Sequence, residues 1–243
     1  PELMKKIAGA AARGKTVNGH APLQTGRALD RYISAGVTDD HECSLAEEAA
    51  ERIRKGQRVM IREGTAAKNL EALLPMFDPP YCARCLLATD DKHPADLLTG
   101  GHIDMIIRKA AASGKNPVTG IRMATIQTAE YYGLKRTGAV APGYRADLIV
   151  LSDLKKMQVE AVYKDGRLAA EKGKAVPFKR PKVSAPLSER VKNSMRLNPV
   201  SSEDFAFQQK GVHRCRVIRR IPGQLLTDEE LRNVDLGKGF DLE

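Results

Sequence analysis

The sequence predicts an α/β fold: the C-terminal half of a (β/α)8 barrel, followed by β-sandwich strands and the start of an α+β domain. Short apolar runs alternate with amphipathic stretches along the first half of the chain, and turn-and-strand patterns replace them near residue 140. Polar residues follow the four apolar runs, and they are His20, His41, Arg62 and Asp90. Because parallel strands of such a barrel end at one rim, these side chains predict a site there.

Four strands and the helices between them account for the first 90 residues. The predicted strands cover residues 16–20, 37–41, 58–62 and 85–89. The predicted helices cover residues 3–12, 25–34, 44–55 and 66–74. Thr25 is expected to cap the second helix, and Ser44 with Glu47 forms an S-x-x-E pattern that predicts a capping box on the third. Regular alternation of this kind favours parallel βα units with right-handed crossovers.

The rest of the chain is predicted to change character twice. Helices over about 95–112 and 117–132 precede a turn and strand over 140–151. A β-hairpin over 158–170 is predicted from the favoured turn dipeptide Asp165-Gly166. Residues 212–221 and a last helix over 227–233 are expected to begin another α+β unit. The predicted domains are residues 1–137 (barrel half), 138–178 (β-sandwich return segment) and 179–243 (linker and partial C-terminal domain).

Composition limits the classes of protein that fit. The 243 residues are 42% apolar and 29% charged, with four cysteines and a formal charge of +10. No apolar run reaches the roughly 18–20 residues of a membrane span, and the first residues lack the order of a signal peptide. We therefore expect a soluble, cytoplasmic protein that does not act at a membrane, and the few scattered cysteines suit a reducing compartment.

The positive charge is concentrated in residues 164–192, which hold nine Lys or Arg against three Asp or Glu. This stretch has no interleaved aromatic residues for base stacking, so nucleic-acid binding is not expected. A basic, non-enzymatic scaffold that binds an acidic partner stays open as an alternative. The lone C-x-x-C pattern of Cys82 and Cys85 lacks a second pair, so no zinc or redox role is expected for it.

Two histidines and an aspartate at successive strand ends are typical of a hydrolytic metal site. Neutral imidazoles and a carboxylate hold divalent ions, and a bound ion lowers the pKa of water until hydroxide is available near neutral pH. His20, His41 and Asp90 are therefore candidate ligands, although a single histidine at a strand end is more often structural.

Several sequence motifs, taken in order, resemble the adenine deaminases of the amidohydrolase superfamily. They are NGHAP at 18–22, DDHE at 39–42, VMIREGTAAKNL at 59–70 and TDDKHP at 89–94, supported by the stretches 116–134 and 138–148. The run at 59–70 separates this group from dihydroorotase and hydantoinase relatives. The resemblance covers residues 1 to about 170 and continues more loosely through 193–243.

The resemblance implies metal-dependent hydrolysis of adenine to hypoxanthine and ammonia, as in purine salvage. His20 and His41 would ligate one metal of a binuclear Mn, Fe or Zn centre. Asp90 would ligate the other metal and carry a proton from water to the leaving amine, with Asp91 as its rival. The side chains expected to contact the purine or support the ligands are Glu42, Arg62, Glu63, Asp91 and His93.

The sequence also departs from the family pattern. The family's first-strand His-x-His pair and its bridging glutamate are not found in it. We therefore expect this chain to be the C-terminal half of such an enzyme, with the N-terminal half as a required partner, and to associate into a homo-oligomer because half a barrel leaves open edges. Another amidohydrolase activity, on a cyclic amide or N-acyl compound, stays open.

Overall fold

The computed structural model describes residues 2–179, 181–205 and 209–237. The chain divides into two compact units. The first comprises the described residues up to 176 together with 222–225, and the second comprises the described residues of 177–221 and 226–237. Arg180, part of the basic stretch noted in the sequence, lies outside the described residues.

A parallel sheet forms the centre of the first unit. Its strands are β1 (Asp39–Asp40), β2 (Arg58–Arg62) and β3 (Cys85–Ala88), which lie in this order. The predicted strand over 58–62 is confirmed, whereas β1 and β3 are shorter than predicted. Val59 and Ile61 of β2 are fully buried. Val59 and Ile61 lie on one face of the strand, and Met60 between them is partly buried on the other face.

The strand predicted over 16–20 is wrong, because in the described chain this segment forms no strand. The Thr38 N–H donates to the Val17 carbonyl at 3.0 Å, so the segment does run beside the start of β1. Further along, however, the Gly19 N–H donates to the Asp39 carboxylate at 3.3 Å. A side chain therefore takes the place of the strand backbone as partner there.

The bounds of the helices in the first unit differ in part from the prediction. They are α1 (Glu2–Ala11), α2 (Gly26–Ser34), α3 (Ala46–Arg54), α4 (Leu70–Leu73), α5 (Pro94–Gly100), α6 (Ile103–Ala112), α7 (Pro117–Ala124) and α8 (Ile126–Tyr131). The long helices predicted over 95–112 and 117–132 are each interrupted, the first at Gly101 with φ of 90° and the second at Thr125. The helix predicted over 66–74 shortens to α4 followed by a 3-10 turn over Leu74–Phe77.

The predicted capping box of α3 is wrong. Leu45 occupies the N-cap, and Glu48 rather than Glu47 reaches back to accept the Ser44 N–H at 2.9 Å. Glu48 is buried while Glu47 is exposed, so α3 presents Glu48, and not Glu47, to the loop. The core beneath α3 and α6 includes Ala49, Ile61, Leu73, Met76, Phe77, Met105, Ile106 and Met123.

An antiparallel sheet completes the first unit. It contains β4 (Leu148–Asp153), β5 (Gln158–Lys164), β6 (Arg167–Glu171) and β7 (Lys174–Ala175), in chain order. The predicted hairpin is confirmed, and both Asp165 and Gly166 have positive φ, at 50° and 73°. Two such residues are what a type I′ hairpin turn requires.

The second unit contains α9 (Ala185–Lys192), β8 (Val212–Arg220) and β9 (Thr227–Asp235). β8 and β9 pair antiparallel, so the helix predicted over 227–233 is wrong. Arg216 pairs with Glu229 across the strands, and Arg219 pairs with Asp228. Strand pairing therefore overrides the local helix preference of the acidic and leucine residues in β9. Among the described residues, no helix combines the length and apolarity that crossing a membrane requires.

Candidate metal centre

His20 and His41 come together at the rim where the parallel strands end. Their rings meet edge to face, with centroids 5.4 Å apart and planes inclined by 81°. Glu42 joins them, and ligand atoms of the three side chains all lie within 4.8 Å of one another. Imidazole nitrogens and a carboxylate oxygen form a donor set that suits Zn, Mn or Fe, so these residues fit a divalent metal.

The backbone before His20 requires glycine. A Cβ on Gly19 would lie 2.0 Å from the Tyr32 hydroxyl and 2.6 Å from a Val37 methyl. The Tyr32 hydroxyl donates to the His20 carbonyl at 3.1 Å. Burial, with the nearby Asp40 carboxylate, raises the pKa of Tyr32, so the phenol stays protonated as a donor. The close packing of Tyr32 therefore holds the backbone of His20.

Asp39, which is fully buried, connects the His20 segment to α8. Its carboxylate accepts the Gly19 N–H at 3.3 Å and also the Tyr131 hydroxyl. Burial, and then the hydrogen bond to Asp39, raise the pKa of Tyr131, which keeps its proton available for donation. Tyr131, which lies 92 positions after Asp39, thus supports the His20 segment through that carboxylate.

Asp90 lies at the same rim but is not one of the three clustered side chains. It follows β3 with φ of 49°, a left-handed conformation that is uncommon outside glycine. Arg62, which is buried, donates through Nη1 to Glu42 at 3.1 Å and to Asp90 at 3.3 Å. The structure therefore joins Asp90 to the cluster through Arg62 and Glu42.

Asp91 and Glu63 are engaged in local structure. Asp91 accepts the Ala66 N–H at 2.6 Å and so holds the loop after β2. Glu63 is buried, pairs with Lys109 at 2.6 Å and accepts the Leu70 N–H at 3.2 Å. Both carboxylates have protein partners, and their predicted contacts to a purine stay predictions.

The two histidines that follow Asp90 also contact the loops. His93 precedes α5, and its N–H donates to the Thr65 hydroxyl at 2.9 Å. His102 lies 2.9 Å, through Nε2, from the hydroxyl of Thr89. A substrate role for His93 stays a prediction.

Sequence reasoning assigned Glu42 to substrate contact or ligand support, whereas the structure places it among the candidate metal donors. The position of Glu42 directly after His41, at the end of the same strand, is the sequence feature that could have indicated this role. Sequence reasoning also missed the contacts of Arg52 and Glu48 beneath the two histidine loops. Their apolar neighbours on α3, Ala49 and Ala50, would have indicated a buried helix face.

Comparison with known proteins places this chain in a family. The model of the amidohydrolase family matches residues 1–169, and the chain belongs to that family. A solved structure of a beta-aspartyl dipeptidase from Fervidobacterium islandicum AW-1 is similar, with a TM-score of 0.56 at 16% identity over 73% of this chain and 52% of that chain. The likeness supports an α/β barrel-type domain.

The curated relatives are closer in sequence. Adenine deaminase 2 of Carboxydothermus hydrogenoformans is 42% identical over 98% of this chain and 41% of its own length. An adenine deaminase of Desulfatibacillum aliphaticivorans is 41% identical over 93% of this chain and 39% of its own length. The resemblance found from the motifs is therefore confirmed, and the chain spans about two fifths of the length of these relatives.

Proposed function

We propose that this chain supplies part of the active site of an adenine deaminase, which converts adenine and water to hypoxanthine and ammonia. The observation that carries the proposal is the convergence of His20, His41 and Glu42 in a chain 42% identical to Adenine deaminase 2. The relatives' name supports adenine as the substrate, and the three clustered side chains support a metal-assisted hydrolysis.

In this proposal His20 and His41 hold one metal of a binuclear centre of Mn, Fe or Zn, and Asp90 contributes to the other. A divalent metal bound there supplies the Lewis acidity that makes hydroxide available near neutral pH. Glu42 lies within reach of the same ion as the histidines. Its ion pair with Arg62 limits how far its carboxylate can move.

Asp90 carries the proton in the proposed reaction. Its carboxylate accepts one proton from water as the oxygen bonds to C6 of adenine and the ring C6=N1 double bond opens. It gives that proton to the exocyclic amine as the exocyclic C6–N bond breaks and ammonia leaves, and the second water proton ends on ring nitrogen N1 of hypoxanthine. Its side chain is 44% exposed, so a substrate can reach it. Arg62 holds the carboxylate at the rim, and together with Glu42, Glu63, Asp91 and His93 it is proposed to support or contact the purine.

The proposed activity needs the rest of the barrel. We propose that residues 1–137 form the second half of the barrel, 138–178 the β-sandwich return segment and 179–243 a linker and partial C-terminal domain. An N-terminal segment would supply the remaining ligands, and the assembled enzyme would be a homo-oligomer. The completed protein is this chain together with that segment.

The test is formation of hypoxanthine and ammonia from adenine with added Mn²⁺ or Zn²⁺, for the chain alone and for the completed protein. We expect turnover in the completed protein and none in the chain alone. Metal binding without adenine turnover, accompanied by hydrolysis of cyclic amides or N-acyl compounds, would contradict the assignment of adenine and favour another amidohydrolase activity.

A further inference from the structure

We propose that a buried ion cluster, formed by Asp40, Glu48 and Arg52, sets the spacing between the two loops that carry His20 and His41. The proposal rests on the proposed function, because it takes these histidines as metal ligands. The cluster residues are positioning residues: none of them is proposed to touch metal or substrate.

The cluster joins β1 to α3 out of contact with water. Arg52 Nε lies 3.0 Å from Asp40 Oδ2, and Arg52 Nη2 lies 3.1 Å from Glu48 Oε1. The side chains of Arg52 and Asp40 are fully buried, and that of Glu48 is 5% exposed. Removing three charged groups from water is costly, and buried ion pairs are often no better for stability than apolar residues. Stability alone is therefore a weak explanation for burying these charges here.

Asp40 holds one backbone group from each histidine loop. It accepts the N–H of Ala21, which follows His20, at 2.8 Å. It also accepts the N–H of Glu42, which follows His41, at 2.7 Å. One buried carboxylate thus bonds to the backbone directly after each candidate ligand.

Glu48 repeats this pattern two residues further along both loops. It accepts the Leu23 N–H at 2.8 Å and the Ser44 N–H at 2.9 Å. Leu23 has φ of 62°, a strained conformation that persists only where the surroundings hold it. Each carboxylate of the cluster therefore bonds to both loops, and Arg52 keeps the two carboxylates together.

This arrangement assembles the two ligands before a metal arrives. A site whose ligands are already in place loses less conformational freedom on binding than one whose loops must order. The cluster also carries two carboxylates against one guanidinium, and this excess negative charge, one residue from His41, favours a cation.

Variants of the completed protein test the proposal. Asp40→Asn and Glu48→Gln keep size and shape but each lose one of two oxygen acceptors. We expect each to raise the dissociation constant for Co²⁺ about 10–100-fold, the effect typical of groups that orient metal ligands. We also expect an altered visible spectrum of bound Co²⁺, which a change in stability alone would not produce. The matched control is Glu51→Gln on α3, whose carboxylate accepts the Gly26 N–H at 3.0 Å instead.

Hydrogen exchange in the metal-free parent supplies a readout that needs no variant to fold. We expect peptides covering residues 20–24 and 41–45 to be protected without metal, because the cluster already holds them. Unprotected loops that become protected only with Co²⁺ would overturn the proposal, as would folded Asp40→Asn and Glu48→Gln proteins with parental affinity and spectrum. Because exchange is read without adenine, it decides the positioning role independently of the substrate assignment.

Discussion

Arg62 lies 3.3 Å from the carboxylate of Asp90, and the same Nη1 lies 3.1 Å from Glu42. The loops that follow β1 and β3 are therefore connected by one buried guanidinium at the end of β2, the strand between them. The arrangement puts the proposed proton carrier and a candidate metal donor at the same rim, although they are 48 positions apart in the sequence.

Replacement of Asp90 is expected to lower the catalytic rate with little effect on the stability of the fold. Asp90→Ala in the completed protein is expected to lower kcat for adenine about 10²–10⁴-fold, because the proton carrier is lost. The melting temperature should change little, since this side chain is nearly half exposed. Steady-state kinetics and thermal unfolding of the same preparation check both expectations.

Asp91→Ala is expected to behave in the opposite way. It removes the acceptor of the Ala66 N–H and should cost about 1 kcal/mol of unfolding free energy. Its kcat should fall much less than that of Asp90→Ala, because Asp91 is proposed to support or contact the purine and not to carry the proton. Denaturant unfolding and kinetics compare the two variants directly. If Asp91→Ala were inactive and Asp90→Ala active, the two roles would be reversed.

Loss of either candidate histidine should weaken metal binding. His20→Ala and His41→Ala are each expected to reduce metal affinity by at least about 100-fold, beyond the effect of an orienting group. His213→Ala, in the second unit, is the matched control, because its ring contacts the Lys210 carbonyl at the surface. Metal content after dialysis against a metal buffer measures the effect. Equal metal content in all three variants would exclude these ligands.

Gly64 is expected to be intolerant of a side chain. A Cβ there would lie 1.6 Å from Asp91 Oδ1 and 2.7 Å from the Thr89 carbonyl, which is backbone and cannot rotate away. Gly64→Ala should therefore cost about 1–3 kcal/mol of unfolding free energy. Gly9→Ala in α1 is the control, because its nearest contact would be 3.6 Å and alanine favours helix. Equal stability of the two variants in denaturant unfolding would contradict this packing.

The sequence predicted best where local signals and tertiary structure agree. The central strand β2 and the turn at Asp165 and Gly166 follow directly from an apolar run and a turn dipeptide. β9 was mispredicted because its acidic residues and Leu231 favour helix locally, while pairing with β8 decides its structure. The arginines of β8 opposite the acidic residues of β9 are the signal that could have indicated a hairpin.

The sequence indicated the two histidines of the candidate site but not the contacts that hold their loops. His41 directly follows β1, as predicted, whereas His20 was found from a predicted strand over 16–20 that does not form. The contacts of Glu48 with Leu23 and Ser44 depend on which helix face is buried, and one residue of register separates Glu48 from Glu47. Such contacts are set by packing in three dimensions rather than by sequence spacing.

Two of the cysteines should resist labelling. Burial raises the pKa of the Cys43 thiol, and burial with nearby Cys82 raises the pKa of Cys85 to about 12. Because the thiolate is the reactive form, both should be almost unreactive at pH 8 in the folded protein. Cys82 and Cys215, which are half-buried, should label first. Alkylation followed by peptide mass spectrometry checks the order, and equal rates for Cys85 and Cys82 would contradict it.

Metal removal and return in the completed protein test the central claim most directly. Hypoxanthine formation from adenine is measured after chelation and after return of Mn²⁺, Fe²⁺ or Zn²⁺, for the parent and for a His20→Ala, His41→Ala double variant. We predict that chelation abolishes turnover, that at least one metal restores it in the parent, and that none restores it in the double variant. Turnover that survives complete metal removal, or returns in the double variant, would contradict the account.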